Sequence, residues 1–352
     1  MPVAQSIKIG KIEVGSGAAP FIVAEISGNH NGELSRALEI VDAAAAAGAH
    51  AVKLQTYTAD TITIDHDGPG FRVSEGHELW GGSSLYELYE RAHTPWEWHA
   101  EIFAHARSLG LIPFSSPFDA SAVDLLESLD VEVYKIASLE IADIALLRRV
   151  ARTGKPVILS NGASTPSDLD LAISTIRNEG NNNIIVLACT SSYPAPPEES
   201  NLRSIPLLQD AFQVPVGLSD HTLGIGVAVA AVALGACVIE KHVTLDRNDG
   251  GVDSEFSLEP SELVSLVIES KRAWMALGTP TLYPTAGEKE SSRLRRSLYV
   301  VEDVHTGDIV TEQNVRAIRP AGGLEPVNLD LVLGRTFQQD VKRGTPLAWP
   351  LV

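Results

Sequence analysis

The sequence predicts a (β/α)8 barrel followed by a small carboxyl-terminal domain. From about residue 21 to residue 245, eight short runs rich in Val, Ile and Leu alternate with amphipathic segments rich in Ala, Leu, Glu and Arg. Glycines suited to ending a helix stand just before several of these runs, at Gly48, Gly110, Gly154 and Gly235. Alternating strands and helices predict a parallel sheet, and eight units favour a closed barrel; an open doubly wound sheet is the alternative.

The predicted strands are residues 21–25, 51–55, 112–116, 133–138, 156–160, 184–189, 214–219 and 237–242. Because proline is favoured in the first turn of a helix, three helices are predicted to begin at Thr94-Pro95, Thr165-Pro166 and Glu259-Pro260. The threonines are suited to capping the first two of these helices.

A long insertion, residues 58–93, follows the second strand. It is rich in Gly and Asp and then in aromatic residues, among them Trp80, Tyr86 and Tyr89. Barrel active sites form on the loops at the carboxyl ends of the strands, so we expect the insertion to line a substrate pocket. A surface decoration is the alternative.

Composition changes after residue 278. We interpret residues 1–278 as the barrel domain, with an amino-terminal extension over residues 1–20, and the Pro-, Gly- and Thr-rich segment 279–296 as a linker. Residues 297–352 form the second domain, with strand-like pieces at 297–301 and 315–319.

Charge and cysteine content exclude several classes of protein. A net charge of -18 over 352 residues opposes binding to nucleic acid or to an anionic membrane. The first residues show no basic segment followed by an apolar one, so we expect no secretion signal; the longest apolar stretch, residues 224–238, is Gly-interrupted and short for a bilayer span. We predict a cytoplasmic protein in which Cys189 and Cys237 are reduced core thiols.

Two histidines occupy matching places at the ends of the last two predicted strands, His221 and His242. Neighbouring parallel strands would aim both imidazoles at one divalent metal ion. Two imidazoles are too few for a closed structural site, which indicates a catalytic metal with positions open to water or substrate. Imidazole ligands favour Mn, Co, Fe or Zn over Ca.

Further polar side chains stand at strand ends, where barrel chemistry is built. The alternation of side chains along a strand puts Ser219 on the face of His221, Glu240 on that of His242, and Lys53 on that of Gln55. The remaining strand-end candidates are Glu25, Ser116, Lys135, Ser138 and Ser160. Taken singly, a lysine could be solvated or ion-paired and a histidine could be a core imidazole; together, the lysines and hydroxyls form a cup for a phosphate or carboxylate.

Seven motifs resemble, in order, those of the sialic acid synthase family. They are AEISGNHNG (24–32), VKLQ (52–55), FSSPF (114–118), YKIAS (134–138), CTSSYP (189–194), GLSDHT (217–222) and EKH (240–242). The segment from residue 297 resembles that family's antifreeze-like (SAF) domain. Within the family, YTADTITI (57–64), LYELY (85–89) and TPWEW (94–98) are most similar to the branch that makes pseudaminic acid.

The resemblance implies condensation of phosphoenolpyruvate with an open-chain acetamido sugar and water, giving a nine-carbon sugar acid and phosphate. For the pseudaminic acid branch the sugar is 2,4-diacetamido-2,4,6-trideoxy-L-altrose. The first step joins the two carbon chains, and phosphate leaves by carbon–oxygen cleavage. A homodimer with swapped SAF domains is implied as well, in which Arg319 enters the partner's site.

The resemblance also assigns roles to residues. His221 and His242 would hold Mn²⁺, with Mg²⁺ or Co²⁺ as alternatives, and Glu25 would handle a proton, with Glu140 as second candidate. The implied phosphoenolpyruvate ligands are Lys53, Ser116, Lys135, Ser138, Ser160, Ser191 and Ser219. The implied sugar contacts are Gln55, Tyr193 and Asp253.

Three rival functions remain open on the sequence. A synthase for another nonulosonic acid, such as legionaminic or neuraminic acid, would share the phosphoenolpyruvate site. A metal-dependent aldolase that uses pyruvate would also fit two histidines and lysines, but it releases no phosphate. A noncatalytic carbohydrate-binding protein would have kept the barrel without its chemistry.

Overall fold

A computed structural model describes residues 6–15, 17–73 and 82–352 of the chain. Trp80, predicted to belong to the pocket insertion, and the first five residues of the predicted extension lie outside the described residues. The chain divides into two compact units, Met1–Gly278 and Thr279–Val352.

A closed barrel of eight parallel strands forms the first unit, preceded by the antiparallel hairpin β1 (Ser6–Ile9) and β2 (Ile12–Gly15). The barrel strands are β3 (Phe21–Glu25), β4 (Ala51–Thr56), β5 (Ile112–Pro117), β6 (Tyr134–Ile136), β7 (Val157–Ser160), β8 (Ile184–Cys189), β9 (Val216–Asp220) and β10 (Val238–His242). Strand β10 closes the ring on β3, with Val238 beside Phe21 and His242 beside Glu25. The predicted barrel is therefore confirmed, and the open-sheet alternative is wrong.

Helices follow the strands in the order that the sequence predicts. They are α1 (Leu34–Ala47), α2 (Ala59–Ile62), α3 (Leu85–Ala92), α4 (His99–Ser108), α5 (Ala120–Ser128), α6 (Ile144–Ala151), α7 (Pro166–Asn178), α8 (Ser204–Phe212), α9 (Gly226–Ala233) and α10 (Pro260–Leu277). The predicted starts at Pro166 and Pro260 are confirmed; the Thr165 hydroxyl caps α7 by accepting from the Asp168 amide.

The predicted helix start at Thr94-Pro95 is wrong. Pro95 precedes a single 3-10 turn, Trp96–Trp98, and α4 begins only at His99. The Trp96 indole donates to the Tyr57 carbonyl at 3.1 Å, which holds this turn against the loop after β4. A long-range contact of this kind overrides the local preference of proline.

The interior of the barrel has an apolar floor and a polar mouth. Inward side chains near the amino ends of the strands pack with Ile7, Ile9 and Val14 of the hairpin into one cluster. Further along the same faces the side chains become polar, as in Val23 followed by Glu25. Outward side chains pack with the surrounding helices in a second cluster. Strand alternation thus separates the stabilising layers from the mouth, where polar groups accumulate.

The second unit has its own small core. Strands β11 (Ser297–Val300) and β12 (Val315–Ile318) pair antiparallel, and two short helices, α11 (Glu288–Ser292) and α12 (Leu329–Val332), lie before and after them. The buried cluster is Leu298, Val300, Val304, Val310, Val315, Val332, Phe337, Val341 and Leu347. In the part of the chain that is described, no helix combines the length and apolar character needed to cross a bilayer.

Gly217 allows close packing where β9 meets its neighbours inside the barrel. A Cβ at this position would lie 2.4 Å from the Val238 carbonyl oxygen and 2.7 Å from Leu187 Cδ2. We expect Gly217→Ala to lower the free energy of unfolding by about 1–3 kcal/mol, because backbone on a barrel strand must shift. Urea unfolding measures the change. Gly226→Ala, where an added Cβ meets nothing within 4 Å, is the control and should leave the midpoint unchanged or higher; equal midpoints for both variants would contradict the packing argument.

Candidate active site

Four ionisable side chains meet in the polar half of the barrel interior: Glu25, Lys53, Lys135 and Glu240. All four are buried. Lys53 Nζ lies 2.6 Å from Glu25 Oε2 and 4.0 Å from Glu240 Oε1. Lys135 Nζ lies 3.3 Å from that same Glu240 oxygen, and the Ser219 hydroxyl donates to it at 3.0 Å. The two cations balance the two carboxylates.

The pKa values of Glu25 and Glu240 are shifted in opposite directions by this environment. Burial raises the pKa of Glu25 above its usual value, because the lowering effect of Lys53 is smaller. Burial also acts to raise the pKa of Glu240, but Lys135, Lys53 and Ser219 together lower it below its usual value. Glu25 is therefore the carboxyl of the pair that more readily carries a proton.

Several hydroxyls at the mouth have free hydrogen-bonding capacity. The buried hydroxyls of Ser160 and Ser191 have no hydrogen-bond partner among the residues that the structure describes. Ser138 Oγ accepts from the Gly162 amide at 3.1 Å, and a Cβ on Gly162 would lie 2.2 Å from Ser191 Oγ and 2.7 Å from Ser138 Oγ. Unsatisfied buried hydroxyls are costly, so their grouping indicates a polar ligand.

A second set of groups lies beside the lysines. Lys53 Nζ donates to Ser116 Oγ at 3.3 Å. The structure thus places Lys53, Lys135, Ser116 and Ser219 in one buried network, as strand alternation predicts.

The rings of His221 and His242 face each other across neighbouring strands, with centroids 5.3 Å apart. His221 Nδ1 lies 3.0 Å from the Thr190 carbonyl oxygen, a contact that places a proton on Nδ1, and the ring also makes a hydrogen bond with the Cys189 thiol. His242 Nδ1 is buried, has no hydrogen-bond partner within the described part of the chain, and lies 3.5 Å from Asp253 Oδ2. Burial, and then the neighbouring His221, lowers the pKa of His242 well below its usual value, so this imidazole is neutral.

Two imidazole rings at this spacing suit one divalent ion. Ligand distances of about 2.0–2.1 Å and a roughly tetrahedral angle place two rings about 5 Å apart. Within residues 6–15, 17–73 and 82–352, no group of three or more His, Cys, Asp or Glu side chains has metal-binding geometry. Any ion held by the two histidines would therefore draw its remaining ligands from water or substrate.

Asp253 is held next to His242 by a network that the sequence does not reveal. The Ser27 hydroxyl donates to Asp253 Oδ2, and Gln55 Nε2 donates to Ser27 Oγ at 3.2 Å and to Glu25 Oε1 at 3.0 Å. Burial raises the pKa of Asp253, although Ser27 lowers it. The chain Asp253–Ser27–Gln55–Glu25 links the histidine side of the mouth to the lysine side.

Asn29 fixes the loop that carries Asp253. Its Nδ2 donates to the Val243 carbonyl at 2.9 Å and to Ser257 Oγ at 2.8 Å, and its Oδ1 accepts from the Asp253 amide at 3.2 Å. A fully buried amide with all these partners acts as a tie between the loops after β3 and β10.

A cavity of about 370 Å³ opens above these groups. Its polar lining includes Gln55, Ser138, Glu140, Tyr193, His242 and Asp253. The Tyr193 ring packs on His221 at 4.4 Å, and burial raises the pKa of Glu140. Ile62, Leu88, Tyr89 and Ala92 of the insertion also line the cavity, so the insertion forms part of the pocket rather than a surface decoration.

Arg319 belongs to the second unit. It is exposed and follows β12 in the second unit. The other sequence-predicted residues all belong to the barrel.

Sequence reasoning placed Glu240 at the mouth without a role and missed the site positions of Cys189, Ser27 and Asn29. Cys189 is a free thiol that is only partly buried, so its placement as a core thiol is wrong; Cys237 is buried as expected. Burial acts to raise the pKa of the Cys189 thiol, but a hydrogen bond with His221 lowers this pKa below its usual value. Strand alternation could have revealed this, because Cys189 lies on the same face of its strand as the inward-facing Ile185 and Leu187 and stands at the end of that strand.

Comparison with known proteins identifies relatives over nearly the whole chain. The pseudaminic acid synthase of Helicobacter pylori is 44% identical over 331 residues, which cover 94% of this chain and 96% of the relative. The pseudaminic acid synthase of Campylobacter jejuni is 42% identical over 327 residues, covering 93% and 95%. The crystal structure of an N-acetylneuraminic acid synthetase from Leptospira borgpetersenii, in complex with citrate, superimposes with a TM-score of 0.73 at 35% identity and covers 82% of this chain and 95% of that chain.

Family models agree with these similarities. Residues 295–352 match the SAF domain. Residues 40–281 match the NeuB family, and the chain therefore belongs to the NeuB family.

Proposed function

We propose that this protein is a pseudaminic acid synthase. It condenses phosphoenolpyruvate with 2,4-diacetamido-2,4,6-trideoxy-L-altrose and water to give pseudaminic acid and phosphate. The observation that carries the proposal is a buried pair of lysines and a group of free hydroxyls beside two open imidazoles, in a chain 42–44% identical to two pseudaminic acid synthases.

Phosphoenolpyruvate fits the lysine side of the mouth. Its carboxylate and phosphate need cations and hydroxyl donors at close range, which Lys53, Lys135 and the surrounding serines supply. These cations are paired with Glu25 and Glu240. The substrate anions compete with these carboxylates, while the site keeps the lysines aimed inward.

His221 and His242 would hold a divalent metal ion, for which we favour Mn²⁺, with Mg²⁺ or Co²⁺ as alternatives. The fit rests on the orphaned Nδ1 of His242 and on the Thr190 carbonyl that fixes the His221 tautomer. Such an ion supplies Lewis-acid polarisation of the sugar aldehyde. The protein holds the sugar next to the enol carbon of phosphoenolpyruvate, and this proximity favours carbon–carbon bond formation.

We favour Glu25 as the residue that acts as general acid and base. The new alcohol oxygen gains a proton and the water that adds to the second carbon of phosphoenolpyruvate loses one. Glu25 lies within the network that joins Lys53 to Gln55, and burial raises the pKa of this carboxyl. Phosphate then leaves by carbon–oxygen cleavage, and the second carbon becomes the ketone carbon of the product.

The cavity lining supports a trideoxy sugar. Apolar side chains make up much of the wall, from Ile62, Leu88 and Ala92 to Phe118, Leu139 and Val252. A sugar with two acetamido methyls and a 6-methyl group buries these against an apolar wall, whereas a fully hydroxylated sugar would leave hydroxyls without partners. The same lining accepts other trideoxy stereoisomers, so a legionaminic acid synthase is the nearest alternative.

We extend the proposal to the assembly. A homodimer with exchanged SAF domains would bring the exposed Arg319 of one protomer to the mouth of its partner, where its guanidinium can donate hydrogen bonds to the acetamido oxygens of the sugar. We also propose a cytoplasmic location; the two free thiols fit a reducing compartment.

Phosphate release tests the reaction class and the sugar. With phosphoenolpyruvate, Mn²⁺ and a panel of acetamido sugars, we expect release to depend on sugar, to be fastest with the L-altro sugar and to stop with a chelator. His242→Ala should abolish Mn²⁺ binding and turnover while the protein stays folded by circular dichroism. Faster release with the legionaminic or neuraminic acid precursor would transfer the proposal to that synthase. Product formation from pyruvate without phosphate would indicate an aldolase, and no turnover with any sugar would favour a carbohydrate-binding protein.

Glu25→Gln separates chemistry from binding. We expect kcat to fall by about 10²- to 10⁴-fold, the usual contribution of a general acid or base, while phosphoenolpyruvate binds at least as tightly because Lys53 loses a competing carboxylate. Steady-state kinetics and calorimetric titration of phosphoenolpyruvate measure the two effects. Glu140→Gln is the matched comparison at the second candidate carboxyl. A large loss of kcat in Glu140→Gln with near-normal Glu25→Gln would reverse the assignment.

Complementation between an inactive variant and a variant with weakened sugar binding, assayed at a low sugar concentration, tests the exchanged arm. His242→Ala has a defective barrel and an intact Arg319, and Arg319→Ala has the reverse. If Arg319 acts in the partner's site, mixed dimers contain one site with both features, and co-refolded or co-expressed variants regain activity. Arg319→Ala alone should raise the sugar KM more than the phosphoenolpyruvate KM. Absence of any recovery in verified mixed dimers would rule out the exchanged arrangement.

A further inference from the structure

A buried ion pair lies on the outer side of the barrel wall directly behind the two histidines. Lys241 is completely buried and Asp220 is 3% exposed. Lys241 Nζ lies 3.1 Å from Asp220 Oδ2, and the two residues are direct partners in the β9–β10 ladder. Each precedes one of the histidines in sequence, so the pair joins the two strands at the point where they present His221 and His242.

The same pair also holds the turn that follows His221. Asp220 Oδ1 accepts from the Thr222 amide at 2.9 Å and from its hydroxyl at 2.8 Å. Lys241 Nζ donates to the Thr222 carbonyl. Both backbone polar groups of Thr222 are thus tied to the ion pair, and His221 lies between residues whose positions are fixed.

Barrel stability alone does not require charges here. The other outward side chains of these two strands, Val216, Leu218 and Ile239, are apolar and pack in the layer between strands and helices. Apolar residues of similar volume often stabilise such a position as well as a buried ion pair does, because the pair must be desolvated. The charges stand where a specific backbone geometry is needed, next to the imidazoles.

We propose that Lys241 and Asp220 are positioning residues that fix the separation and orientation of His221 and His242 and thereby set the affinity of their shared divalent-cation site. The inference rests on the metal-binding part of the proposed function. Groups behind metal ligands commonly change metal affinity by about 10- to 100-fold when they are removed. The Lys241–Asp220 pair differs from the usual arrangement in acting on the backbone rather than on the imidazole nitrogens.

The test is a double substitution that removes both charges without leaving one unpaired. Asp220→Asn with Lys241→Met keeps an oxygen acceptor for Thr222 and loses the bridge from Lys241. Mn²⁺ is titrated into the metal-free protein and free Mn²⁺ is followed by electron paramagnetic resonance. We expect the Kd for Mn²⁺ to rise about 10- to 100-fold, while the Kd for phosphoenolpyruvate in the absence of metal stays unchanged, since Lys53 and Lys135 are untouched.

A matched control removes an ion pair elsewhere in the barrel. Glu127→Gln with Lys155→Met deletes a pair separated by 2.7 Å that lies away from the cavity, and should leave both Kd values unchanged. Thr222→Val is the second variant, should the double substitution not fold. It removes one hydrogen bond to Asp220 and keeps both charges, and we expect a smaller, several-fold rise in the Kd for Mn²⁺.

Three outcomes would overturn the inference. Wild-type Mn²⁺ affinity in a folded variant of Asp220 and Lys241, or in Thr222→Val, would show that the pair does not position the histidines. Equal losses of Mn²⁺ and phosphoenolpyruvate affinity would indicate a general structural role. If the wild-type protein itself binds no Mn²⁺, the metal-binding part of the proposed function fails together with the inference, and this is distinguished from the other outcomes by the wild-type titration.

Discussion

The pairing of two buried lysines with two buried glutamates is the interaction on which the polar half of the barrel depends. Desolvating an ion costs on the order of several kcal/mol even after relaxation, so none of the four could remain charged there alone. Ion pairs within this group offset the desolvation cost, because Lys53 contacts both Glu25 and Glu240, and Glu240 contacts both Lys53 and Lys135. This pairing explains how an acidic protein keeps two cations buried inside the barrel.

Strand alternation places that network and keeps it apart from the layers that stabilise the fold. On each inward face, apolar residues near the start of the strand pack on the hairpin, and polar residues near its end reach the mouth, as in Val238 followed by Glu240 and His242. On the outward faces the same strands pack against helices. Lys241 and Asp220 are exceptions, because they are charged although they lie on outward faces. Each directly precedes one of the two histidines.

The sequence predicted the barrel and most of the site because both follow from local regularities. Eight apolar runs gave the strands, and residue parity put Lys53, Ser219 and His242 on inward faces. It could not show which charges pair, since Lys135 and Glu240 are 105 residues apart, nor that Asn29 ties down the Asp253 loop from 224 residues away. Cys189 was misplaced because an apolar run looks the same whether its last residue lies in the core or at the mouth.

The proton handler can be argued from the asymmetry between the two buried glutamates. Glu240 has two lysines and a serine hydroxyl, which outweigh burial and lower its pKa. Glu25 contacts one lysine and the Gln55 amide. Their lowering effect is smaller than the effect of burial, so the pKa of Glu25 is raised. Two carboxyls whose surroundings shift their pKa values in opposite directions can serve separate roles, one as a fixed anion and one as a proton carrier. Glu240 then acts as the permanent counter-ion that orients the lysines. Glu25 also lies in the hydrogen-bonded chain through Gln55 and Ser27 to Asp253, beside His242, and this position supports its proposed role in proton transfer.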